Sequence, residues 1–148
     1  MDVSIATMAH LDDLVRNNIA MAMETEAKAL DPAKVREGTR VALGDPSKGV
    51  YLVAVEDGRA IGQLMITREW SDWRNGDIWW VQSVYVTPGR RGSGVLSRLF
   101  GHLTGMAREE GAVGLRLYVD KANRMAKRAY EHLGLEQSHY DLYELMYQ

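Results

Sequence analysis

Apolar residues recur at two different periods along the chain, and the changes of period divide it into predicted helices and strands. After a short strand candidate at residues 3–6, helical spacing predicts a first helix that runs to about Glu26. The apolar positions of that helix are Leu11, Leu14, Val15, Ile19 and Met23. A second helix is predicted from Asp31-Pro32 to about Leu43, because proline is favoured at the first helical position.

The middle of the chain follows the two-residue period of strands. Strands are predicted at residues 51–55 and 60–67, joined by the tight turn Asp57-Gly58, with Gly62 as a candidate bulge. Residues 69–77 are predicted to form a loop. Residues 78–86 are predicted as the next strand, and their apolar run indicates burial on both faces. The three strands together predict an antiparallel meander.

The last third of the chain returns to helical spacing. A helix is predicted from Gly94 to about Glu110, and Gly111 ends it. A strand at residues 115–119 is predicted to lie parallel to residues 78–86, because a helix separates the two. A helix at residues 123–133 is predicted next, followed by a hairpin between residues 135–138 and a terminal strand at about 140–147.

The predicted order β-α-α-β-β-β-α-β-α-β-β indicates an α/β fold. Residues 1–148 are expected to form a single domain around a mixed, mostly antiparallel central sheet flanked by helices. A chain of this length suits one sizeable hydrophobic core.

Composition and charge narrow the function classes. The net charge of −2 at pH 7 indicates neither a nucleic-acid binder nor a membrane-surface binder. The absence of cysteine excludes disulfides, thiolate zinc sites and a cysteine nucleophile, and the histidines lack metal-ligand spacing, so no metal is expected. The N-terminus is acidic, and no apolar run reaches the ~20 residues of a membrane span. We therefore expect a cytoplasmic protein without a membrane partner.

A glycine-rich turn joins residues 78–86 to the helix that follows. It has the sequence Arg91-Gly92-Ser93-Gly94. Such turns bind anions through the unpaired N–H groups of a helix N-terminus, although taken alone this turn is more simply explained as a connection between strand and helix. It lacks the Gly-Lys-Ser/Thr of a Walker loop and the third glycine of a dinucleotide fingerprint.

A second constellation lies on the last predicted helix. Ala126 and Tyr130 are one turn apart on the same face, and Asn123 stands where the helix begins. Taken alone, Asn123 is more simply explained as an N-cap, and Tyr130 as a core aromatic residue with its hydroxyl at the rim.

Together, the two constellations resemble the GNAT superfamily of N-acetyltransferases. That family carries Arg/Gln-x-x-Gly-x-Gly/Ala after a strand and Asn-x-x-Ala-x-x-x-Tyr on a later helix. Here the first motif runs from Arg91 through Gly94 to Leu96, and the second from Asn123 to Tyr130. Leu96 departs from the family's Gly or Ala. A leucine side chain that points away leaves the backbone contacts intact, whereas one that points inward weakens pyrophosphate binding.

The resemblance implies acetyl transfer from acetyl-CoA, a co-substrate, and it assigns roles to individual residues. The backbone around Val84 and Val86 would pair with the pantetheine arm, the N–H groups of the turn would hold the pyrophosphate, and Asn123 would bond the pantetheine end. Tyr130 would be the general acid that protonates the leaving thiolate. The predicted cofactor-binding set is Val84, Tyr85, Val86, Arg91, Gly92, Ser93, Gly94, Val95, Leu96 and Asn123.

The general base is not assigned by the resemblance. Some family members carry a glutamate on the central strand where this chain has Trp80, which cannot accept a proton. The candidates for a base, or for binding a cationic amine, are Glu24, Glu26 and Asp72, each of which is otherwise a solvated surface carboxylate. A water chain is a further candidate.

Four tryptophans lie close together in the sequence. Trp70, Trp73 and Trp80 are candidate contacts for the acceptor, because tryptophan faces attract cations. The alternative is core packing for Trp79 or Trp80, with one residue facing each way.

The predicted function is an N-acetyltransferase that acts by direct attack in a ternary complex on the primary amine of a small molecule, such as a polyamine, an amino-acid-like compound or an aminoglycoside. A protein or peptide amine is an alternative acceptor. A CoA-binding sensor or regulatory module without turnover is the alternative from another class, and a nucleotide-phosphate binder is a third. A homodimer is also expected, because a terminal strand would offer an edge for pairing.

Overall fold

The computed structural model describes every residue from Met1 to Gln148. The strands are β1 (Asp2–Ile5), β2 (Val50–Glu56), β3 (Arg59–Ser71), β4 (Gly76–Val86) and β5 (Gly114–Arg116). The α-helices are α1 (Leu11–Glu26), α2 (Pro32–Gly44), α3 (Val95–Glu109) and α4 (Arg124–His132). The predicted order β-α-α-β-β-β-α-β-α is confirmed as far as α4.

The five strands form one sheet in the order β1-β2-β3-β4-β5. Adjacent strands from β1 to β4 are antiparallel, and β5 is parallel to β4 from Ile78↔Gly114 to Trp80↔Arg116. The predicted mixed, mostly antiparallel sheet is therefore confirmed. Since pairing with β5 ends at Trp80, the rest of β4 has no strand partner on that side.

Local signals in the sequence explain where several elements begin. Asp31 caps α2 by accepting the N–H of Ala33 at 3.0 Å. Asp57 and Gly58 both have positive φ, 52° and 74°, which is the conformation that a two-residue hairpin requires. These predictions depended only on residues adjacent in sequence, and both are confirmed.

Helices cover both faces of the sheet. An added Cβ at Gly62 of β3 would lie 2.6 Å from Cγ1 of Val95, so the first turn of α3 packs closely against this glycine. The next residue, Gln63, donates instead to Asn18 of α1. Because successive strand residues point to opposite faces, α1 and α3 lie on opposite sides of the sheet. The predicted bulge near Gly62 is present, since Ala54 pairs with Gly62 and Val55 with Ala60.

Two predicted boundaries in the sheet are wrong. The loop expected at residues 69–77 is reduced to a turn, because β3 and β4 remain paired as far as Ser71↔Gly76. The strand expected at residues 115–119 is shorter, Gly114–Arg116. In both cases the available pairing partner, rather than side-chain propensity, determines the length of the strand.

The predicted terminal hairpin is also wrong. Residues 135–148 contain no strand. Tyr143 and Tyr147 are each 92% exposed, and Leu142 on the alternate face is exposed as well. An alternating pattern becomes a strand only where a neighbouring strand supplies hydrogen bonds and a packed face.

Contacts between Cα atoms divide the chain into two compact units, Met1–Tyr118 and Val119–Gln148. The first unit contains the sheet with α1, α2 and α3, and the second contains α4 and the tail. None of the helices combines the length and the apolar character that a bilayer crossing demands.

Candidate active site

A bulge interrupts β4 at Ser83, immediately before the predicted cofactor-binding backbone. Gln63 pairs with Tyr85 and Met65 with Gln82, so β4 has one more residue than β3 between these pairs. Ser83 has a φ of 51°, in the left-handed region that residues other than glycine rarely adopt. The bulge redirects the backbone of residues 84–86 on the side where β4 has no partner. Its only signal in the sequence is weak, two polar residues, Gln82 and Ser83, within an apolar run.

The turn after β4 delivers backbone N–H groups at the start of α3. Gly92 and Gly94 have φ values of 78° and 86°, so glycine is needed for its backbone angles rather than for space. Gly94 is the N-cap of α3, and no side chain caps this end of the helix. Uncapped N–H groups and the positive end of the helix dipole favour an anion. Val95 is buried and fixes the first turn on the sheet, whereas Leu96 is half-buried.

Arg91 is held by three neighbours at the start of this turn. Its Nη2 donates to Oε2 of Glu24 at 2.8 Å, and its Nε donates to the carbonyl of Val86 at 2.8 Å. The guanidinium carbon lies 5.3 Å from the ring centroid of Tyr85, whose hydroxyl donates to the other oxygen of Glu24 at 3.0 Å. All four residues are candidates from the sequence, but no pattern in the sequence predicts that they meet.

Glu24 is consequently a weak base. The hydrogen bond from Arg91, and after it the one from Tyr85, lower the pKa of Glu24. Burial raises the pKa of Tyr85, and the neighbouring Glu24 carboxylate raises it further. At neutral pH the carboxylate is therefore ionised and the phenol is protonated, which suits Glu24 to anchoring Arg91 rather than to accepting a proton.

A cavity of about 380 Å³ opens between the α1–α2 connection and the sheet. Asn18, Tyr51 and Ser83 contribute polar groups to its lining, and Glu26 and Lys28 contribute opposite charges. The apolar lining comes from Met21, Ala22, Leu30, Val35 and Met65. Because Ser83 is the bulge residue, the cavity reaches β4 directly beside the open backbone of residues 84–86.

Buried side-chain amides connect the cavity lining to the bulge. Nε2 of Gln63 donates to Oδ1 of Asn18 at 2.9 Å and to the carbonyl of Ser83 at 3.1 Å. Nδ2 of Asn18 donates to the hydroxyl of Tyr51 at 3.1 Å. Gln63 is fully buried, and its Oε1 has no hydrogen-bond partner. These residues are not predicted from the sequence, where the available signal is a single amide within the apolar run of residues 60–66.

Three of the predicted acceptor residues lie at the tip of the β3–β4 hairpin. Asp72 and Trp73 occupy the turn and Trp70 precedes it; Trp73 is 87% exposed and Trp70 is 62% exposed. Val86 lies at the opposite end of β4, which has 11 residues and is roughly 33 Å long at about 3.3 Å per residue. The structure therefore does not bring these three residues to the cavity or to the glycine turn.

Trp80 lies where pairing between β4 and β5 ends. Its Nε1 donates to Oε1 of Glu69 at 2.9 Å, and its ring centroid is 6.2 Å from that of Tyr118. Glu69 also accepts from Nη1 of Arg116 at 3.3 Å. Trp79, one residue earlier, is buried on the other face, so the prediction that one of the two faces each way is confirmed.

The second unit carries the two remaining predicted residues on α4. Oδ1 of Asn123 accepts the N–H of Ala126 at 3.1 Å, so Asn123 is the N-cap of this helix. Burial raises the pKa of the Tyr130 phenol, which stays protonated at neutral pH, the form that a general acid requires. No group of three or more His, Cys, Asp or Glu residues is arranged to hold a metal ion.

The chain matches a family model and several solved structures. The model of the Acetyltransferase (GNAT) family matches residues 16–135. A possible acetyltransferase from Clostridium difficile 630 is 39% identical, with a TM-score of 0.90 and coverage of 98% of this chain and 96% of that one. A probable acetyltransferase is 26% identical, with a TM-score of 0.87 and coverage of 100% and 99%.

A more distant structure shares the fold alone. A predicted acetyltransferase from Clostridium acetobutylicum, solved with acetyl-CoA, is 18% identical, with a TM-score of 0.78 and coverage of 97% of this chain and 95% of that one. No curated sequence matches the chain significantly.

Proposed function

The chain belongs to the GNAT acetyltransferase family, and from that premise we propose that it transfers the acetyl group of acetyl-CoA to the primary amine of a small molecule. Family membership makes the chain an acyltransferase with acetyl-CoA as its co-substrate. The observation that carries the finer proposal is the position of Ser83, which lines the cavity and directly precedes the open backbone of β4. Donor and acceptor would therefore meet at one point of the sheet.

The open edge of β4 and the glycine turn fit two different parts of coenzyme A. Amide groups of the pantetheine arm match the N–H and C=O groups of Val84 and Val86, as an added strand would. The diphosphate matches the N–H groups from Arg91 to Leu96, which the uncapped start of α3 and the two left-handed glycines present. We propose that all 148 residues act as one N-acetyltransferase domain.

The cavity supports a small amine as the acceptor. Its volume of about 380 Å³ lies at the lower end of small-molecule sites, which span about 300–1,000 Å³. Apolar walls with a few polar groups suit a compact organic molecule. The opposite charges of Glu26 and Lys28 suit an amino-acid-like compound, because Glu26 would attract its ammonium group and Lys28 its carboxylate.

The reaction requires no covalent bond to the enzyme. The neutral amine nitrogen attacks the acetyl carbonyl carbon, a C–N bond forms, and the C–S bond breaks. A backbone N–H of β4 after the bulge stabilises the developing oxyanion. The amine gives up a proton to Glu26 or to water, and the thiolate takes one from Tyr130. Holding both reactants together supplies much of the remaining acceleration.

A turnover assay tests this proposal. The purified chain is incubated with acetyl-CoA and a panel containing a polyamine, free amino acids, an aminoglycoside and a short peptide with a free N-terminus. Release of free thiol and formation of acetylated amine are followed together, with an amine-free sample as the control for hydrolysis. We expect acetylation of a small amine. Acetylation of the peptide alone would contradict the small-molecule acceptor, and CoA binding without release on any amine would favour a sensor module.

A further inference from the structure

We infer that Gln63 is a positioning residue for acetyl transfer, because its side chain fixes the peptide bond that follows Ser83 and so aims the N–H of Val84 at the acetyl oxygen. This inference rests on the proposed function. Its support is the set of buried hydrogen bonds that Gln63 makes between β3, the β4 bulge and α1.

Gln63 compensates for the extra residue that the bulge inserts into β4. Its backbone pairs with Tyr85, but its side chain extends back to the carbonyl of Ser83, with 3.1 Å between Nε2 and the oxygen. A bulge disrupts the regular ladder around its extra residue, and a buried carbonyl there needs another donor. The glutamine amide supplies that donor.

Fixing the Ser83 carbonyl also fixes the N–H of Val84, because both belong to one planar peptide unit. In a trans peptide the C=O and N–H bonds point in opposite directions, and the chain contains no cis peptide bond. The Ser83 carbonyl is held by the side-chain amide of Gln63, which lies on the α1 face of the sheet. The N–H of Val84 points toward the side on which β4 has no strand partner, because Thr87 donates to Ile61 of β3 at 2.9 Å and backbone directions alternate along a strand. A donor held in that direction suits an oxyanion in the opening beside β4.

The same amide connects this donor to the acceptor cavity. The other hydrogen bond of Gln63 goes to Oδ1 of Asn18, and Asn18 donates to the hydroxyl of Tyr51. Asn18, Tyr51 and Ser83 all line the cavity. The buried side chain of Gln63 therefore fixes the position of the cavity lining relative to the oxyanion donor.

Gln63 supplies donors to two acceptors and leaves one of its own atoms unpaired. Gln63 is fully buried, and its Oε1 has no donor, so the fold bears the desolvation cost of an unpaired oxygen. Methionine has a similar length and would remove that cost, although it would leave the carbonyl of Ser83 and Oδ1 of Asn18 without their donor. An amide donor at position 63 is therefore required to hold both the Ser83 carbonyl and Asn18.

The test compares Gln63→Met with Asn17→Leu. Asn17 is also buried, and its amide donates to the carbonyl of Ala60 at 3.2 Å, so the control removes the same kind of hydrogen bond away from the bulge. We expect Gln63→Met to bind CoA within about twofold of wild type and to lose roughly 10- to 100-fold in kcat, less than the 10²–10³ lost when an oxyanion donor is removed outright. Asn17→Leu should lower the Tm and keep kcat within about twofold. Full activity in Gln63→Met, or an equal loss in both variants, would overturn the inference.

A second measurement is independent of turnover, and its first arm uses only the wild-type protein. In ¹⁵N-labelled wild-type protein, the amide proton of Val84 should move downfield when acetyl-CoA is added, because it gains a carbonyl acceptor. The shift should persist in Asn17→Leu and be lost in Gln63→Met. A Val84 amide that does not move in the wild type, although acetyl-CoA binds, overturns the inference even if the turnover assay succeeds. Failure of the turnover assay together with a Val84 shift would instead count against the proposed reaction alone.

Discussion

The guanidinium of Arg91 donates to the carboxylate of Glu24 across 2.8 Å and joins α1 to the turn that follows β4. The same guanidinium gives its Nε–H to the carbonyl of Val86, one of the backbone groups proposed for the pantetheine arm. Arg91 belongs to the proposed diphosphate site, and it already occupies the Val86 carbonyl, which belongs to the proposed pantetheine site. Coenzyme A would have to displace Arg91 from Val86 and bring its own negative charge close to Glu24.

The first prediction concerns this ion pair. Glu24→Gln should bind CoA more tightly, by up to about fivefold, because the carboxylate no longer holds Arg91 and no longer repels the diphosphate. The fivefold limit on the gain in affinity follows because an exposed ion pair contributes only about 0.2–1 kcal/mol. Calorimetric titration at low and high salt measures it, and the gain should shrink at high salt. Glu37→Gln is the control, since Glu37 forms a comparable pair with Arg40 within α2. Weaker binding by Glu24→Gln would mean that Glu24 instead positions Arg91 for the diphosphate.

The second prediction concerns the glycine turn. Gly94→Ala should destabilise the fold by about 1–2 kcal/mol, because an L-residue is strained at a φ of 86°, and should weaken CoA binding by distorting the start of α3. Thermal unfolding with and without CoA separates the two effects. Gly101→Ala is the matched control, because Gly101 lies inside α3 with nothing within 4 Å of an added Cβ. Gly101→Ala should stabilise the fold by roughly 0.5–1 kcal/mol and leave CoA binding unchanged. Equal CoA affinity in both variants would contradict the turn's proposed role.

The third prediction concerns Tyr130. Tyr130→Phe should lower kcat by about 100-fold, the lower end of the effect of a general acid, while the Kd for CoA stays within about twofold. Steady-state kinetics and a separate binding titration measure the two quantities. Tyr143→Phe removes the hydroxyl of a phenol that is 92% exposed and should change neither. An unchanged kcat in Tyr130→Phe would remove Tyr130 from the acid role.

The fourth prediction concerns acid stability. Asp13 of α1 accepts the N–H of Ala60 at 2.8 Å and Nε of Arg59 at 3.2 Å. Burial alone would raise the pKa of Asp13, but the Ala60 N–H, together with Arg16 and Arg59, brings that pKa below its usual range. Because the pKa of Asp13 is lower in the folded state, its ionised carboxylate stabilises the fold fully above the unfolded pKa of about 3.9. This stabilisation is lost as the pH falls through the native pKa.

Asp13→Asn should therefore lower the free energy of unfolding at pH 7 by about 1.5–3 kcal/mol, the range for hydrogen bonds to charged groups. The difference from wild type should narrow steadily below about pH 4. Urea unfolding across this pH range measures both effects. Asp12→Asn is the control, because the side chain of Asp12 is 79% exposed in its pair with Arg36, and it should cost no more than about 1 kcal/mol. A difference that is constant with pH would rule out the ionised carboxylate as its source.

The sequence by itself determined the helices, the tight turns and the order of the elements as far as α4. Helical periodicity, the capping side chain of Asp31 and the paired turn residues Asp57 and Gly58 act over a few neighbouring positions, so their effects do not depend on the rest of the fold. The motif around Gly94 was found for the same reason. The alternating tail after Gly134 shows the limit of this reasoning, because a strand also needs a partner elsewhere in the chain.

Only the tertiary structure decided which distant side chains meet. Glu24 and Arg91 are 67 positions apart, and Gln63 lies 45 positions from Asn18 and 20 from Ser83. No local period or propensity encodes such separations. They follow from the way α1 crosses the sheet and from the extra residue in β4, both of which are set by burial and by backbone pairing across the whole fold.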